Sequence, residues 1–474
     1  MVVDFPDLVD MVQDYALASG IPNIRTVHSS RTLPGPADVD SFIEPMVEAL
    51  IRPLTAKEKE TGRWEPTQPR ILFEGTLPEA QKFYQQTRKV SSPLLHGSVC
   101  VYTDGLPIIA PTEELVREML TGTSHKPDEL ITRQSSVILT QRDTTLGEWI
   151  KGEKGEVAHF QSMGWTATVE KVATIAVMSG CKPEHLPVVL AISESECPTG
   201  TAGIASQWVC ASGPIVKEIG INCEQGMFDP GNPANMPIGR AYQLMALNLG
   251  GAMVGVNRLN NFGSPFNSGG TLFAENMDAL PPGWKGLNEE YGFKKDESIV
   301  MVITGGSLLK TGSFPSGGYR ALQKSGHGGI ARRLGVKGVP GPHNLLEYVA
   351  PGLWVGHEGG YTIIMIPVIA HDLYEYGFKT KDEIYQWLWK QSFEPLKDYK
   401  LRAGPDLSTN GWMGIERTSG KHWKELPDDY MVPVGGNNPT DNCIIVAGGP
   451  SEHILLLNGR RGLTSSVYSV DAWR

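Results

Sequence analysis

Residues 168–192 read TVEKVATIAVMSGCKPEHLPVVLAI, and the change of pattern inside them decides the fold class. Thr168 is a helix N-cap residue type, and Glu170 falls where a carboxylate meets the positive end of a helix dipole. Val169, Val172, Ala173, Ala176 and Val177 recur at helical spacing, and Gly180 supplies a stop. Residues 186–192 then form a continuous apolar run of strand length. The same alternation continues outward. Strands are expected at 299–303, 362–368 and 443–447. Helices are expected at 240–249, stopped by Gly250 and Gly251, and from Thr380, which forms a capping box with Glu383. Short strands alternating with helices predict a mixed α/β fold, and 474 residues predict a multi-domain one.

Upstream, residues 7–18 have helical periodicity, 24–27 are β-like, and 38–54 form an amphipathic helix with Val39, Phe42, Ile43, Met46, Val47 and Leu50 on one side. Residues 55–69 are polar and aperiodic and read as a linker. Helices are expected at 78–87 and after Thr112, an N-cap followed by Glu113 and Glu114. The organisation this predicts is a small leading α/β unit over 1–65, a connecting α/β segment over 66–142, and a main α/β domain over 143–474 that carries the candidate site.

Composition narrows the function. A formal net charge of −10 leaves no basic stripe for a nucleic-acid backbone, so no nucleic-acid partner is expected. No apolar run approaches the roughly 18–20 residues that span a bilayer, so no membrane partner is expected either. The acidic start, without a basic region and apolar core, and the six dispersed cysteines predict a reducing, cytoplasmic setting. Motifs for dinucleotide binding, phosphate-cradling loops, the serine-hydrolase elbow, HExxH and CxxC are all missing. Nothing therefore points to a nucleotide cofactor. The cofactor is unknown, and a metal is compatible with the residues but not indicated. Cys197, Cys210 and Cys223 are spaced by 13, whereas zinc ligands come in close pairs. Cys181, at a helix C-terminus, reads as a small buried hydrophobe.

The richest chemical signal is residues 220–239, GINCEQGMFDPGNPANMPIG, which run into the helix expected from Arg240. A helix N-terminus with Arg240 in its first turn would hold a small anionic substrate. Cys223 is the candidate nucleophile, and Glu224 and Asp229 are the candidate proton carriers. Glu170 is a further candidate carboxylate, although the helix dipole alone explains it. Asn222, Asn232 and Arg240 are the expected substrate contacts, joined by Asn261 and Glu275 from a second polar loop, residues 260–275. The alternative reading is a tightly turned loop whose Asn side chains bind backbone. His327, in His327-Gly328-Gly329, and His357, in His357-Glu358-Gly359-Gly360, are further candidate bases or ligands.

Several of these stretches together resemble a bacterial family associated with UGSC-type selenoproteins and their cysteine counterparts. They are residues 103–109, 168–191, 220–222, 230–240 and 273–276, and the likeness covers roughly 70–460. Residues 20–54 resemble the later half of the small UGSC domain. The Cys/Sec-Gly-Ser-Cys motif itself is absent, since no cysteine precedes Cys100. The resemblance implies either that this chain has lost the reactive motif or that a small UGSC-type partner subunit supplies it. The expectation is a small-molecule enzyme, a lyase or hydrolase that cleaves or hydrates a carbon–heteroatom bond. It is expected to work as a homo- or hetero-oligomer. The alternatives are a non-catalytic large subunit beside a thiol- or selenol-bearing partner, and a ligand-binding protein without turnover.

Overall fold

The structure is a computed structural model that describes residues 2–4, 9–29, 35, 38–62, 65, 67, 69–89, 97–135, 137–142, 149–199, 206–258, 272–306, 335–353, 362–403, 416, 419–433, 439–450, 454–457 and 465–474. The chain opens with β1 (Val2–Asp4), α1 (Val9–Ala18), β2 (Thr26–His28) and α2 (Asp40–Ile51), with β1 and β2 parallel. Next come α3 (Leu77–Tyr84), β3 (Thr87–Lys89), β4 (Ser98–Cys100), α4 (Glu113–Met119), β5 (Val137–Arg142) and β6 (Trp149–Gly152). The central run is α5 (Val169–Ser179), α6 (Leu186–Ser193), β7 (Ser206–Ser212), α7 (Ile215–Glu218), α8 (Asn235–Asn248), β8 (Leu272–Ala274), α9 (Leu287–Glu290) and β9 (Ile299–Gly306). The remaining strands are β10 (Thr362–Met365), β11 (Phe393–Pro395), β12 (Met431–Pro433), β13 (Cys443–Val446), β14 (Ile454–Leu457) and β15 (Ser465–Ser469). Helices Leu345–Leu353, Pro367–Tyr376 and Lys381–Gln391 lie among them. The fold class is mixed α/β. No helix among the described residues is long and apolar enough to cross a membrane.

Two small mixed sheets form the centre. One has the order β15-β9-β7-β8, with β7 and β8 parallel. The other has the order β13-β10-β14, with β13 and β10 parallel. Strand alternation sorts their side chains into two cores. Val209, Ala211, Leu272, Ala274, Val300 and Val302 face α5, α6 and α8. Trp208, Cys210, Phe273, Met301 and Ile303 face the opposite way and meet Ile364, Cys443, Ile445 and Leu457 of the second sheet. The outer face of that sheet, through Ile363, Met365, Ile444 and Val446, packs on the helices Leu345–Leu353, Pro367–Tyr376 and Lys381–Gln391. The order is thus helices, sheet, sheet, helices. Each fully buried Val, Leu or Ile contributes about 1.5–3 kcal/mol.

The caps read from sequence are in place. Thr112 Oγ1 accepts from Leu115 N–H (3.4 Å), Thr168 Oγ1 from Lys171 N–H (3.3 Å) and Thr380 Oγ1 from Glu383 N–H (3.2 Å). Gly180 ends α5 at φ 90°, a left-handed conformation that favours glycine. Three expectations are corrected. Residues 186–192 are not a strand but helix α6: Pro187 suits a first helical turn, and every residue of the helix is buried, so no amphipathic period is left to read. The expected strand 362–368 ends at Met365, because Pro367 opens the next helix. The helix expected from Arg240 begins at Asn235, which moves Arg240 into its second turn. The 55–69 stretch is also tied down at its start. Glu58 takes two hydrogen bonds from Arg25 (2.8 Å each), and Gly62 N–H donates to Gly20 O (3.0 Å).

Candidate functional site

The loop between α7 and α8 is built on three asparagines. Asn235, buried at the start of α8, accepts from Asn222 N–H through Oδ1 (2.8 Å) and donates through Nδ2 to the carbonyls of Asn222, Met227 and Leu272 (2.9, 3.3 and 3.3 Å). Asn222 Nδ2 donates to Asn232 Oδ1 (2.8 Å) and Gln225 O (3.0 Å), and Asn222 Oδ1 accepts from Glu224 N–H (2.8 Å). Asn232 Nδ2 reaches the carbonyls of Gly226 and Asp229 (2.8 Å each). Asn222 and Asn232 therefore bind the loop backbone and each other, and the loop is cross-braced by its own side chains.

This loop sits where the carboxyl ends of both parallel strand pairs converge. Asn276 N–H, just past β8, donates to Val446 O at the end of β13 (2.8 Å), and Gly448 N–H donates to Cys223 O (2.8 Å). The approach is close enough that a Cβ on Gly449 would lie 2.7 Å from Gln225 Cβ. Cys223, Glu224, Asn276, Asp278 and Lys217 gather there. Asn276 Nδ2 donates to Glu224 Oε1 (3.4 Å), and Lys217 pairs with Asp278. Crevices at the carboxyl ends of parallel strands are the usual ligand sites of α/β sheets. The Cys223 thiol is half-buried, and burial, helped by Glu224 and Asp278, raises its pKa, so it is a protonated thiol at neutral pH.

Beneath this cluster, Glu275 is fully enclosed. Its Oε2 accepts from Ser212 Oγ (2.9 Å) and Leu287 N–H (2.6 Å), and its Oε1 accepts from Lys381 Nζ (2.9 Å). Lys381 also meets Glu290 (3.1 Å), and Tyr385 Oη donates to Glu290 Oε2 (3.0 Å). The two carboxylates outweigh the burial of Lys381 and raise its pKa, keeping it charged.

Two other expected residues stand apart from the loop. Arg240 forms a two-pronged pair with Asp104 (2.9 and 2.8 Å) and caps the carbonyls of Leu106 and Pro107 (3.4 and 2.9 Å), so its guanidinium is engaged and does not stand at the helix start. The first turn of α8 is also occupied: Met236 N–H donates to Asn232 O (3.2 Å), and Pro237 has no N–H. Glu170 binds Arg70 (2.8 Å), which also holds Glu113 (2.6 Å). Asp229 lies exposed on the loop. Asn261, His327 and His357 lie outside the described residues. Cys181 is packed against the core, and burial pushes its thiol up to about 12. Among the described residues, no group of three or more His, Cys, Asp or Glu side chains is placed to hold a metal ion.

The sequence reading passed over Glu194, which closes α6. Burial raises its carboxyl pKa to about 7, against the opposing effect of hydrogen bonds from Gln134 N–H (2.9 Å) and Trp473 Nε1 (2.6 Å). The next turn holds Glu196 and Cys197 at φ 64° and 47°, strained values for residues with a Cβ. Buried Arg133 braces the turn through Glu194 O (2.9 Å) and Glu196 Oε1 (2.6 Å). The signal was present as a carboxylate two residues beyond a continuous apolar run, after Ser193. With both oxygens bonded and no exposure, Glu194 anchors Trp473 in the core.

A separate cleft of about 490 Å³, lined by Thr121, Ser124, Glu184, Glu218 and Arg474, holds none of the candidate residues, and its Arg474 is paired with Glu218 (2.6 Å). No family model, no curated protein and no solved structure matches the chain.

Proposed function

We propose that the protein is a small-molecule enzyme of the lyase or hydrolase class, working in the cytoplasm. It cleaves or hydrates a carbon–heteroatom bond of an anionic substrate at the carboxyl ends of β8 and β13. Glu224 carries the proton, Asn276 orients it, and Lys217 receives the anionic group in place of Asp278. Cys223 lines the site as a thiol. The observation behind this reading is that Cys223 and Glu224, on a loop braced by three asparagines, meet Asn276 from the end of β8 and Lys217 from α7 at the junction of two parallel strand pairs. A rigid scaffold carrying a few poised polar groups is what proton transfer requires, and such a group contributes about 10²–10⁴-fold in rate. The cytoplasmic placement is supported by Cys100, Cys181, Cys197, Cys210 and Cys223, all of which are thiols.

The test is turnover. Pools of small hydroxy-, amino- and halo-acids and phosphate esters are incubated with the wild-type chain, and consumption is followed by mass spectrometry. Glu224→Gln should lower kcat at least about tenfold with little change in KM. An unchanged kcat in that variant sinks the assignment of Glu224.

One observation favours a second reading. Burial raises the pKa of the Cys181, Cys197, Cys210 and Cys223 thiols, so none of them is primed as a thiolate. A chain of that kind would suit a large subunit whose small UGSC-type partner brings the reactive thiol or selenol, in line with the family resemblance. Turnover that appears only when such a partner is added would select this reading over the first.

A further inference from the structure

Helix α2 presents its apolar side outward. None of its residues is buried, and Phe42, Met46 and Ala49 are only half-covered where the helix rests on the leading unit. Val39, Ile43, Val47, Leu50 and Ile51, with Leu54 just beyond, are 38%, 43%, 50%, 65%, 76% and 52% exposed. At about 100° per residue, Val39, Ile43, Val47 and Leu50 lie within an arc of roughly 80°. Single exposed apolar side chains are ordinary, but a continuous stripe along three turns of helix is a contact surface.

We propose that this stripe is the seam of a homodimer, in which α2 packs antiparallel against α2 of a second copy about a two-fold axis. Area and charge select that occupant. The six side chains expose on the order of 500 Å² per copy, so two copies would cover about 1,000 Å², which reaches the lower bound of a specific interface. A two-fold axis requires a surface that complements itself. Asp40 and Glu44 stand in the first half of α2 with no basic residue between them, whereas beyond its midpoint Arg52, Lys57 and Lys59 alternate with Glu48, Glu58 and Glu60, and Arg52 is held by Glu58 (2.9 Å). Antiparallel pairing sets the acidic end of each helix beside the mixed-charge end of the other, where Lys57 and Lys59 are exposed, whereas parallel pairing superposes the two acidic ends. The stripe from Val39 to Leu54 is centred near Val47. Val47 therefore meets its own counterpart, Ile43 faces Leu50 or Ile51, and Val39 lies near Leu54.

The experiment uses the full chain. Light scattering after size exclusion at about 50 µM should give twice the monomer mass for the wild type, and Val47→Asp should weaken association at least about tenfold. In parallel, Val47→Cys under mild oxidation should form a covalent dimer, while Val39→Cys and the wild type, with its native cysteines, should not. A monomeric wild type, a larger assembly, or a Val47→Asp mass equal to wild type overturns the proposal. Failure of Val47→Cys to cross-link overturns it too, and that variant keeps the question decidable should Val47→Asp fail to fold.

Discussion

Replacing Glu194 by Gln should change how stability depends on pH, and the size of the change follows from the structure. The carboxyl is fully enclosed beside Trp473 and Gln134, and burial lifts its pKa from 4.5 to about 7. A group that holds its proton more tightly folded than unfolded stabilises the folded state fully below pH 4.5. That contribution falls as pH rises and is gone above about 7. The full span is worth about 3 kcal/mol, and about 2.5 kcal/mol of it lies between pH 5 and pH 8. Gln does not titrate, so the stability of the variant relative to wild type should improve by about 2.5 kcal/mol over that interval. The Gln amide also turns a donor toward Gln134 N–H or Trp473 Nε1. That clash adds a pH-independent penalty of about 1–3 kcal/mol, which the comparison across pH removes. Urea unfolding of both proteins at pH 5, 6, 7 and 8, followed by far-ultraviolet circular dichroism, gives the curve. Every other group is shared by the two proteins, and its contribution cancels to first order. A difference between them that stays constant from pH 5 to pH 8 would show that Glu194 does not titrate near neutrality, and the reasoning would fail.

Lys381→Met leaves Glu275 and Glu290 buried without their cation, and should cost about 3–5 kcal/mol in urea unfolding. A loss under about 1 kcal/mol would mean that the network is not charged. Adding Glu275→Gln to that variant should recover part of the loss, which a double-mutant comparison reads directly. Gly152→Ala would put a Cβ 2.5 Å from Arg133 Nε, and Arg133 is already held by Glu194 and Glu196. The expected cost is about 1–3 kcal/mol, and Gly152→Ala unfolding at the wild-type urea midpoint would refute the tight approach.

What could be read from the sequence depended on the range of the interaction. The caps at Thr112, Thr168 and Thr380 were legible because the side chain and the amide it serves are three residues apart. The Asn-rich loop was legible as a tight loop from composition alone. Arg240 was misplaced for the opposite reason: its partner Asp104 is 136 residues away, and no local pattern announces it. Residues 186–192 misled because a helix surrounded by protein has no polar face, and periodicity then separates a buried helix from a strand only by length. The α/β class survived that error, since β7 and β9 supply the sheet on which α6 packs.

The same distinction separates structural from chemical polar groups around the candidate site. Asn222, Asn232 and Asn235 have their hydrogen-bonding groups on backbone or, for Asn222 and Asn232, on each other, and Glu275 has its oxygens on Ser212, Leu287 and Lys381. Substituting any of them would loosen the frame whatever the chain's activity. Glu224 differs. It is exposed, its carboxylate accepts one long hydrogen bond from Asn276 at 3.4 Å, and its backbone N–H is held by Asn222. A carboxylate with spare accepting capacity on an immobile loop can exchange a proton with a ligand without rearranging the protein, which lowers the cost of reaching a reactive geometry. Loss of stability in the asparagine variants, set against loss of turnover without loss of stability in Glu224→Gln, therefore separates the frame from the chemistry it holds.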